Sequence, residues 1–238
     1  MSDGASHDET ATRIKICGLR EAAHARVALD AGADFLGIVF APSARTATLA
    51  QARAIRAAVG PRVEVLDASA AVFDQARQRA GQPLLVGVFA RQDPDEINEI
   101  AAAVDLDLIQ LSGGEPPELI ADCIRPVIRA VHIGADATTL GVRKLIAAAP
   151  GAVPLLDARS DQGGGTGVAF DWAIAAGLAR DIPFFLAGGL TPENVAEAIA
   201  RVHPWGVDVS SGVETGGRKD PAKIRAFIAA TRNAIPTS

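Results

Sequence analysis

The chain has 238 residues, of which 49% are hydrophobic and 4% aromatic, and its formal net charge is −5. This length can bury a full core and fits one α/β barrel better than two small domains. The acidic balance argues against a general nucleic-acid-binding protein, which usually shows a basic face, and no stretch approaches the roughly 20 apolar residues that cross a bilayer.

The N-terminal residues 1–12 are polar and acidic. They lack the basic start and the apolar run of a signal peptide, so we predict a disordered leader ahead of a domain that spans residues 13–238. The two cysteines, Cys17 and Cys123, show no paired spacing, and the four histidines show no ligand-like spacing. These residues indicate a reducing, cytoplasmic location and predict neither a disulfide framework nor a metal site.

Short apolar runs alternate with longer alanine-rich stretches, as expected of βα units around a parallel sheet. The predicted strands are Arg13–Cys17, Asp34–Phe40, Leu84–Phe89, Asp107–Leu111, Pro126–Val131, Val153–Asp157, Pro183–Ala187 and Gly206–Val209. The predicted helices lie near 20–31, 48–59, 94–103, 115–123, 138–148, 168–178, 192–202 and 220–232. A capping residue precedes a proline at three predicted helix starts, Asp93-Pro94, Thr191-Pro192 and Asp220-Pro221. The eight strands and eight helices predict a single-domain (β/α)₈ TIM barrel, with a doubly wound sheet as the alternative that composition does not exclude.

The segment from Pro61 to Pro83 does not fit this scheme, because the connection from a helix to the next strand typically takes about 2–6 residues. Residues 63–66 can form a strand and residues 70–80 a helix, which would add a ninth unit. We interpret the segment near 61–83 as an insertion between the second helix and the third strand. That position belongs to the N-terminal, non-catalytic face of a barrel.

Catalytic groups of barrel enzymes gather at the carboxyl ends of the strands. Because side chains alternate along a strand, Lys15 and Cys17 are predicted to face the barrel interior, and Cys17 ends its strand at the mouth. A cysteine in this place can also be a small buried hydrophobic residue without a further role. Lys15 is expected to pair with Asp208, which points inward from the neighbouring last strand.

Asp157 ends the sixth predicted strand with the same inward phase. A carboxyl group at the mouth of an apolar barrel can hold a proton and serve as an acid, or it can cap the loop that follows. Four glycines lie within residues 163–167 of that loop. They allow it to fold over a ligand or to serve as a plain connector.

Two further segments predict a phosphate site. Gly188-Gly189 follows the seventh predicted strand, and Ser210-Ser211-Gly212 follows the eighth. Barrels often bind phosphate through the loops after these two strands, using backbone N–H groups and a helix N-terminus. The two segments together therefore indicate a phosphorylated ligand.

An ordered set of short motifs runs from about residue 13 to residue 230. It comprises Lys15-Ile16-Cys17-Gly18-Leu19, Gly32-Ala33-Asp34, Val39-Phe40-Ala41-Pro42-Ser43-Ala44-Arg45, Val86-Gly87-Val88-Phe89, Ile109-Gln110-Leu111, Leu155-Leu156-Asp157, Phe170-Asp171-Trp172, Leu186-Ala187-Gly188-Gly189-Leu190 and Gly206-Val207-Asp208-Val209-Ser210-Ser211-Gly212-Val213-Glu214. Each motif is short, but the ordered set resembles the phosphoribosylanthranilate isomerase family.

The resemblance implies an Amadori rearrangement of tryptophan biosynthesis that uses no cofactor and no metal. N-(5-phosphoribosyl)anthranilate would become 1-(2-carboxyphenylamino)-1-deoxyribulose 5-phosphate. The resemblance further implies that Asp157 is the general acid that opens the ribose ring, that Cys17 is the general base that removes the C2 proton, and that Arg45 holds the anthranilate carboxylate. Other implied substrate contacts are Gln110, Asp208, Gly188, Gly189, Ser210, Ser211 and Gly212.

Two positions depart from the family pattern. Ser112 stands where a histidine commonly follows the Gln-Leu pair, and Thr46 stands where an aromatic residue often follows the arginine. We expect these departures to alter substrate affinity more than to abolish activity. The expected partner is a small-molecule phosphosugar, with no nucleic acid and no membrane, and both a monomer and a homodimer remain open.

Two other functions compete with this interpretation. The Amadori enzyme of histidine biosynthesis is expected to use aspartates as both acid and base, so Cys17 argues against it. A non-catalytic phosphosugar-binding barrel would keep the phosphate loops without needing Cys17 and Asp157 together.

Overall fold

The computed structural model describes residues 11–134, 136–157 and 172–234. Within these ranges eight parallel strands pair in chain order and the last pairs with the first, which closes a barrel. The strands are β1 (Arg13–Ile16), β2 (Phe35–Val39), β3 (Leu84–Phe89), β4 (Leu108–Leu111), β5 (Val127–His132), β6 (Ala152–Asp157), β7 (Phe185–Ala187) and β8 (Gly206–Val209). The α-helices are α1 (Ala22–Asp30), α2 (Leu49–Val59), α3 (Ala70–Ala80), α4 (Pro94–Val104), α5 (Thr139–Ala147), α6 (Trp172–Ala179), α7 (Val195–Val202) and α8 (Pro221–Arg232). The closed barrel confirms the predicted fold class and excludes the doubly wound sheet.

None of the described helices is long and apolar enough to cross a membrane. The leader predicted for residues 1–12 falls almost entirely outside the described residues, as does the glycine-rich loop that follows Asp157.

The helix predicted over 115–123 is instead a 3₁₀ helix at Pro117–Asp122. Pro116 and Pro117 lack N–H groups, which weakens an α-helical start that lacks a capping side chain. The buried carboxylate of Glu115 instead accepts the backbone N–H of Gly113 at 2.9 Å and ties the chain to the barrel rim.

The helix predicted to start at Pro192 starts three residues later, at Val195. The side chain of Asn194 closes a turn ahead of it, because it accepts the Thr191 N–H at 2.8 Å and donates to the Gly189 carbonyl at 3.0 Å. Helices α4 and α8 begin as predicted, since Asp93 and Asp220 cap their first turns.

Alternating side chains divide the barrel into an outer and an inner core. Outward residues such as Ile14, Ile16 and Val207 pack against the surrounding helices. Inward residues near the strand starts, such as Phe35 and Phe185, fill the barrel. Toward the carboxyl ends the inward positions become polar, and this is where the structure places Lys15, Gln110, His132, Asp157 and Asp208.

Helix α3 lies across the amino-terminal end of the barrel. Its Phe73 ring lies 6.2 Å from the Phe35 ring and 6.4 Å from the Trp205 ring, measured between centroids. Its Asp74 accepts a hydrogen bond of 2.6 Å from Arg13, at the start of β1. The helix therefore closes the end of the barrel opposite to the carboxyl ends of the strands.

Residues 61–69, between α2 and α3, form no strand, although the sequence allowed one at residues 63–66. The Val63 N–H donates at 2.6 Å to the buried carboxylate of Asp107 instead of to a neighbouring strand. The same carboxylate pairs with Arg56 at 3.0 Å, so this stretch is attached to the barrel by side chains and not by a ladder.

Replacing Phe73 by alanine is expected to lower the free energy of unfolding by about 3–5 kcal/mol, because the ring is fully buried and its removal leaves a cavity beside the rings of Phe35 and Trp205. Denaturant unfolding measures the change. Gln75→Ala, on the exposed side of the same helix, serves as the control and should stay within about 0.5 kcal/mol of the parent. Equal stabilities for the two variants would show that α3 does not support the barrel.

Candidate active site

Cys17 directly follows β1 and faces into the mouth of the barrel. Its side chain packs with Val39, Ala41 and Val88 and is only 6% exposed. Gly37, on the neighbouring strand, makes this position possible: a Cβ there would approach Cys17 Sγ to 2.9 Å and Lys15 Nζ to 3.1 Å. The thiol and the ammonium group are therefore held together beside a residue that has no side chain.

Lys15 lies two residues before Cys17, on the same inward side, and pairs with Asp208 of the neighbouring strand β8. The Nζ–Oδ1 distance is 3.0 Å and Lys15 is fully buried, which confirms the predicted pair. Burial alone would lower the pKa of Lys15, but the adjacent Asp208 and Cys17 outweigh burial and raise it. The group is therefore an ammonium ion at neutral pH.

Burial raises the pKa of the Cys17 thiol, and Lys15 and Lys219 offset part of that shift. The resting cysteine is consequently a protonated thiol at neutral pH. Any event that adds positive charge near the sulfur favours the thiolate.

Asp157 is the last residue of β6 and faces inward beside His132, the last residue of β5. The two residues are partners in the parallel register, and Asp157 Oδ2 lies 3.7 Å from His132 Nδ1. His132 Nε2 lies 3.0 Å from the Ser112 carbonyl oxygen. Gln110 Nε2 donates to the Ser112 hydroxyl at 2.9 Å, so β4, β5 and β6 share one polar rim.

Sequence reasoning missed His132. The fifth strand was predicted to end at Val131, one residue short of the position at which an inward histidine meets Asp157. Counting two residues on from the inward Ala130 would have found it.

Arg45 forms a two-pronged ion pair with Glu214, with Nε and Nη2 at 2.7 Å and 2.8 Å from the two carboxylate oxygens. Lys219 Nζ donates to Glu214 at 2.8 Å and to the Ser210 carbonyl at 2.8 Å. Burial alone would raise the pKa of Glu214, but the hydrogen bonds from Arg45 and Lys219 lower it to about 2. Arg45, Glu214 and Lys219 form a charged triad, which the sequence did not predict.

The triad depends on a small hairpin after β8, formed by β9 (Glu214–Thr215) and β10 (Arg218–Lys219). Gly216 and Gly217 turn between them with φ of 59° and 75°, conformations that glycine tolerates without strain. Glu214 is the last residue of the motif at residues 206–214, but its pairing with Lys219 depends on the hairpin and cannot be predicted from that motif.

Arg45 keeps one edge of its guanidinium group open. Glu214 occupies Nε and Nη2, and no hydrogen bond to Nη1 occurs within the described residues. The side chain is 34% exposed, at the mouth side of the triad. Thr46 fixes the loop below it, since its hydroxyl donates to the Ala41 carbonyl at 2.7 Å.

The two predicted phosphate loops are packed against each other. Gly188 and Gly189 turn with φ of 90° and 66° after β7. Residues 211–213 form a 3₁₀ turn after β8, and a Cβ on Gly212 would overlap the Leu190 carbonyl oxygen. Only glycine allows this close approach.

Replacing Glu214 by glutamine is expected to weaken the pH dependence of stability below pH 4.5. The carboxyl pKa falls from its ordinary 4.5 to about 2 in the folded state, so the triad stabilises the fold above about pH 4.5 and this contribution is lost as the pH falls through about 2. Glutamine does not titrate, so the variant starts less stable at neutral pH and loses less on acidification. Denaturant unfolding at neutral and acidic pH measures both effects.

The exposed Glu99 of α4 provides the matched control, Glu99→Gln. It should follow the parent's pH dependence. If Glu214→Gln follows it as well, the triad does not stabilise the fold.

A family model, a relative in sequence and two solved structures that resemble this chain all describe the same isomerase. A family model described as N-(5'phosphoribosyl)anthranilate (PRA) isomerase matches residues 66–230. The chain is 48% identical over 222 residues to the N-(5'-phosphoribosyl)anthranilate isomerase of Roseiflexus castenholzii, covering 93% of this chain and 98% of that protein. The crystal structure of phosphoribosyl anthranilate isomerase from Thermotoga maritima superposes with a TM-score of 0.77 at 33% identity, covering 92% of this chain and 98% of that one. A crystal structure of the isomerase in complex with reduced 1-(o-carboxyphenylamino)-1-deoxyribulose 5-phosphate superposes with a TM-score of 0.73 at 32% identity, with coverages of 92% and 98%.

Proposed function

This chain belongs to the N-(5'-phosphoribosyl)anthranilate isomerase family, and we propose how the residues at its barrel mouth carry out the isomerisation. The enzyme converts N-(5-phosphoribosyl)anthranilate to 1-(2-carboxyphenylamino)-1-deoxyribulose 5-phosphate in tryptophan biosynthesis. One observation carries the assignment of roles: Cys17, directly after β1, and Asp157, the last residue of β6, face the same mouth, with the Lys15 ammonium group beside the thiol.

Asp157 acts first, as the general acid. Its proton passes to the ring oxygen of the ribose while the anthranilate nitrogen donates its lone pair to C1, so the C1–O bond breaks and a cationic Schiff base forms. Asp157 is suited to this step because it lies at the end of β6, where its side chain is 24% exposed and open to the mouth.

Cys17 acts second, as the general base. The cationic Schiff base acidifies the C2 proton, and the sulfur takes that proton while the electron pair forms the C1–C2 double bond of an enolamine. Loss of the hydroxyl proton and protonation at C1 then give the ketone. The positive charge of the intermediate adds to that of Lys15, and together they favour the thiolate over the resting thiol.

Arg45 binds the anthranilate carboxylate through the guanidinium edge that Glu214 leaves open. A guanidinium group can bind carboxylates on two edges at once, so Glu214 orients Arg45 without blocking it. Gln110 lies at the same rim and contributes an amide to the substrate site. Asp208 acts through Lys15, the residue to which it is paired.

The phosphate group binds at the loops after β7 and β8. Gly188 and Gly189 let the backbone approach an anion closely, Gly212 lets the two loops pack against each other, and Ser210 and Ser211 add hydroxyl donors. We place the reaction in the cytoplasm, because both cysteines are free thiols.

The activity is tested by generating phosphoribosylanthranilate in situ and measuring the loss of its fluorescence. Turnover above background is expected. A well-folded protein without turnover would overturn the function.

Replacing Arg45 by methionine is expected to raise KM about 10- to 100-fold, because a charge-assisted hydrogen bond to the substrate carboxylate is lost. The change in kcat should be smaller, since Arg45 does not contact the reacting atoms. Arg45→Lys keeps a positive charge beside Glu214, so it serves as the control for the ion pair that Arg45→Met removes. A methionine variant with an unchanged KM would remove Arg45 from the binding site.

A further inference from the structure

His132 takes part in none of the steps above, yet its Nδ1 atom lies 3.7 Å from the carboxylate of the proposed acid. It is the register partner of Asp157, and both side chains point into the mouth. Gln110 of β4 and Ser112, which follows β4, are both neutral. The charged side chain of the segment after β4 is Glu115, whose carboxylate accepts the Gly113 N–H at 2.9 Å. On the other side of the mouth, Asp208 is close enough to Asp157 to be influenced by it, and Asp208 is paired with Lys15.

The hydrogen bond to Ser112 fixes which ring nitrogen carries a proton. A carbonyl oxygen only accepts, so His132 Nε2, 3.0 Å away, must carry the hydrogen. In the neutral imidazole, Nδ1 is then a bare acceptor. That atom is shielded from solvent and has no hydrogen-bond partner within the described residues.

Nδ1 faces a carboxylate oxygen, which is a second acceptor. Without a proton between the two atoms the lone pair of the buried Nδ1 stays unsatisfied, whereas one proton shared with the carboxylate oxygen satisfies it. The present separation of 3.7 Å exceeds the upper limit of an N–O hydrogen bond by about 0.5 Å. Hydrogen bonds of catalytic groups commonly tighten to bonding distance when substrate enters.

We propose that His132 holds the proton of the catalytic acid, so that one proton is shared between His132 Nδ1 and Asp157 Oδ2; this inference rests on the proposed role of Asp157. In each turnover that proton passes from the pair to the ribose ring oxygen, and Cys17 gains a proton from C2. The pair then recovers a proton from solvent, and the thiol returns one. His132 is thus a positioning residue that acts through Asp157.

A merely structural histidine would need only the Nε2–H bond to Ser112, and its ring would not respond to Asp157. The ¹⁵N NMR spectrum of the ring separates the two roles. At neutral pH the Nδ1 resonance of His132 should lie between the positions of a protonated and a bare ring nitrogen, and Asp157→Asn should move it to that of a bare nitrogen. Identical Nδ1 resonances in the two proteins would overturn the proposal.

A His132→Gln variant identifies the His132 resonance by its absence from the spectrum. It also tests whether the shared proton contributes to turnover. Glutamine can still donate to the Ser112 carbonyl but cannot hold a proton beside Asp157. We expect kcat to fall about 10- to 100-fold, KM to change little, and the limb of the pH–rate profile governed by the acid to move to lower pH. The exposed His203, at the end of α7, provides the matched control, His203→Gln, with parental kinetics.

A parental kcat and pH–rate profile in His132→Gln would overturn the shared proton. The outcome for Asp157 is read separately. If Asp157→Asn is inactive and the His132 Nδ1 resonance is unchanged, only the role of His132 fails. If Asp157→Asn remains fully active, the proposed acid itself is wrong.

Discussion

Cys17→Ala is expected to lower kcat by about 10²- to 10⁴-fold while leaving the fold intact, because the variant removes the only proposed acceptor for the C2 proton. Alanine keeps the small apolar contacts with Val39, Ala41 and Val88, so the loss of packing is modest. Cys17→Ser should be similarly impaired, since a hydroxyl is a far weaker acid than a thiol and is not ionised by one lysine. The fluorescence assay measures kcat, and circular dichroism checks the fold.

Cys123 supplies the control for this experiment. Its thiol donates to the Leu119 carbonyl at 3.4 Å, and burial raises its pKa to about 11, so it is no base at neutral pH. Cys123→Ser should therefore retain the parental kcat. A Cys17→Ala enzyme that turns over like Cys123→Ser would eliminate the thiol as the base and leave the reaction to another group.

The inward position of Cys17 and the ion pair between Lys15 and Asp208 were predicted from strand geometry. Strand alternation puts Lys15 and Asp208 on the inward side, and barrel closure makes their strands neighbours, so the ion pair was predictable without any other knowledge of the fold. The inward phase of Asp157 followed by the same rule. These features depend on periodicity within one strand and on strand order alone.

The features that escaped prediction depend on contacts between distant parts of the chain. The hairpin of β9 and β10 has strands of two residues, too short to show periodicity, and its Glu214 meets an arginine 169 residues away. His132 became important only through its register against Asp157. The 3₁₀ turn at Pro117–Asp122 reflects a carboxylate reaching back to the backbone, which composition does not reveal.

Asp157→Asn is expected to lower kcat by about 10²- to 10⁴-fold with KM nearly unchanged. Asparagine has almost the same volume as aspartic acid, but its amide cannot release a proton to the ribose ring oxygen. The ring then stays closed and no Schiff base forms for Cys17 to act on. The measurement is steady-state kinetics in the fluorescence assay.

An open-chain ligand distinguishes a chemical defect from a damaged site. Reduced 1-(o-carboxyphenylamino)-1-deoxyribulose 5-phosphate has no ring to open, so its affinity should be the same in Asp157→Asn and in the parent. Asp181→Asn removes an exposed carboxylate paired with Arg143 and should leave kcat and affinity unchanged. If Asp157→Asn instead keeps kcat and loses affinity for the open-chain ligand, Asp157 binds the sugar chain and the proton that opens the ring comes from another group.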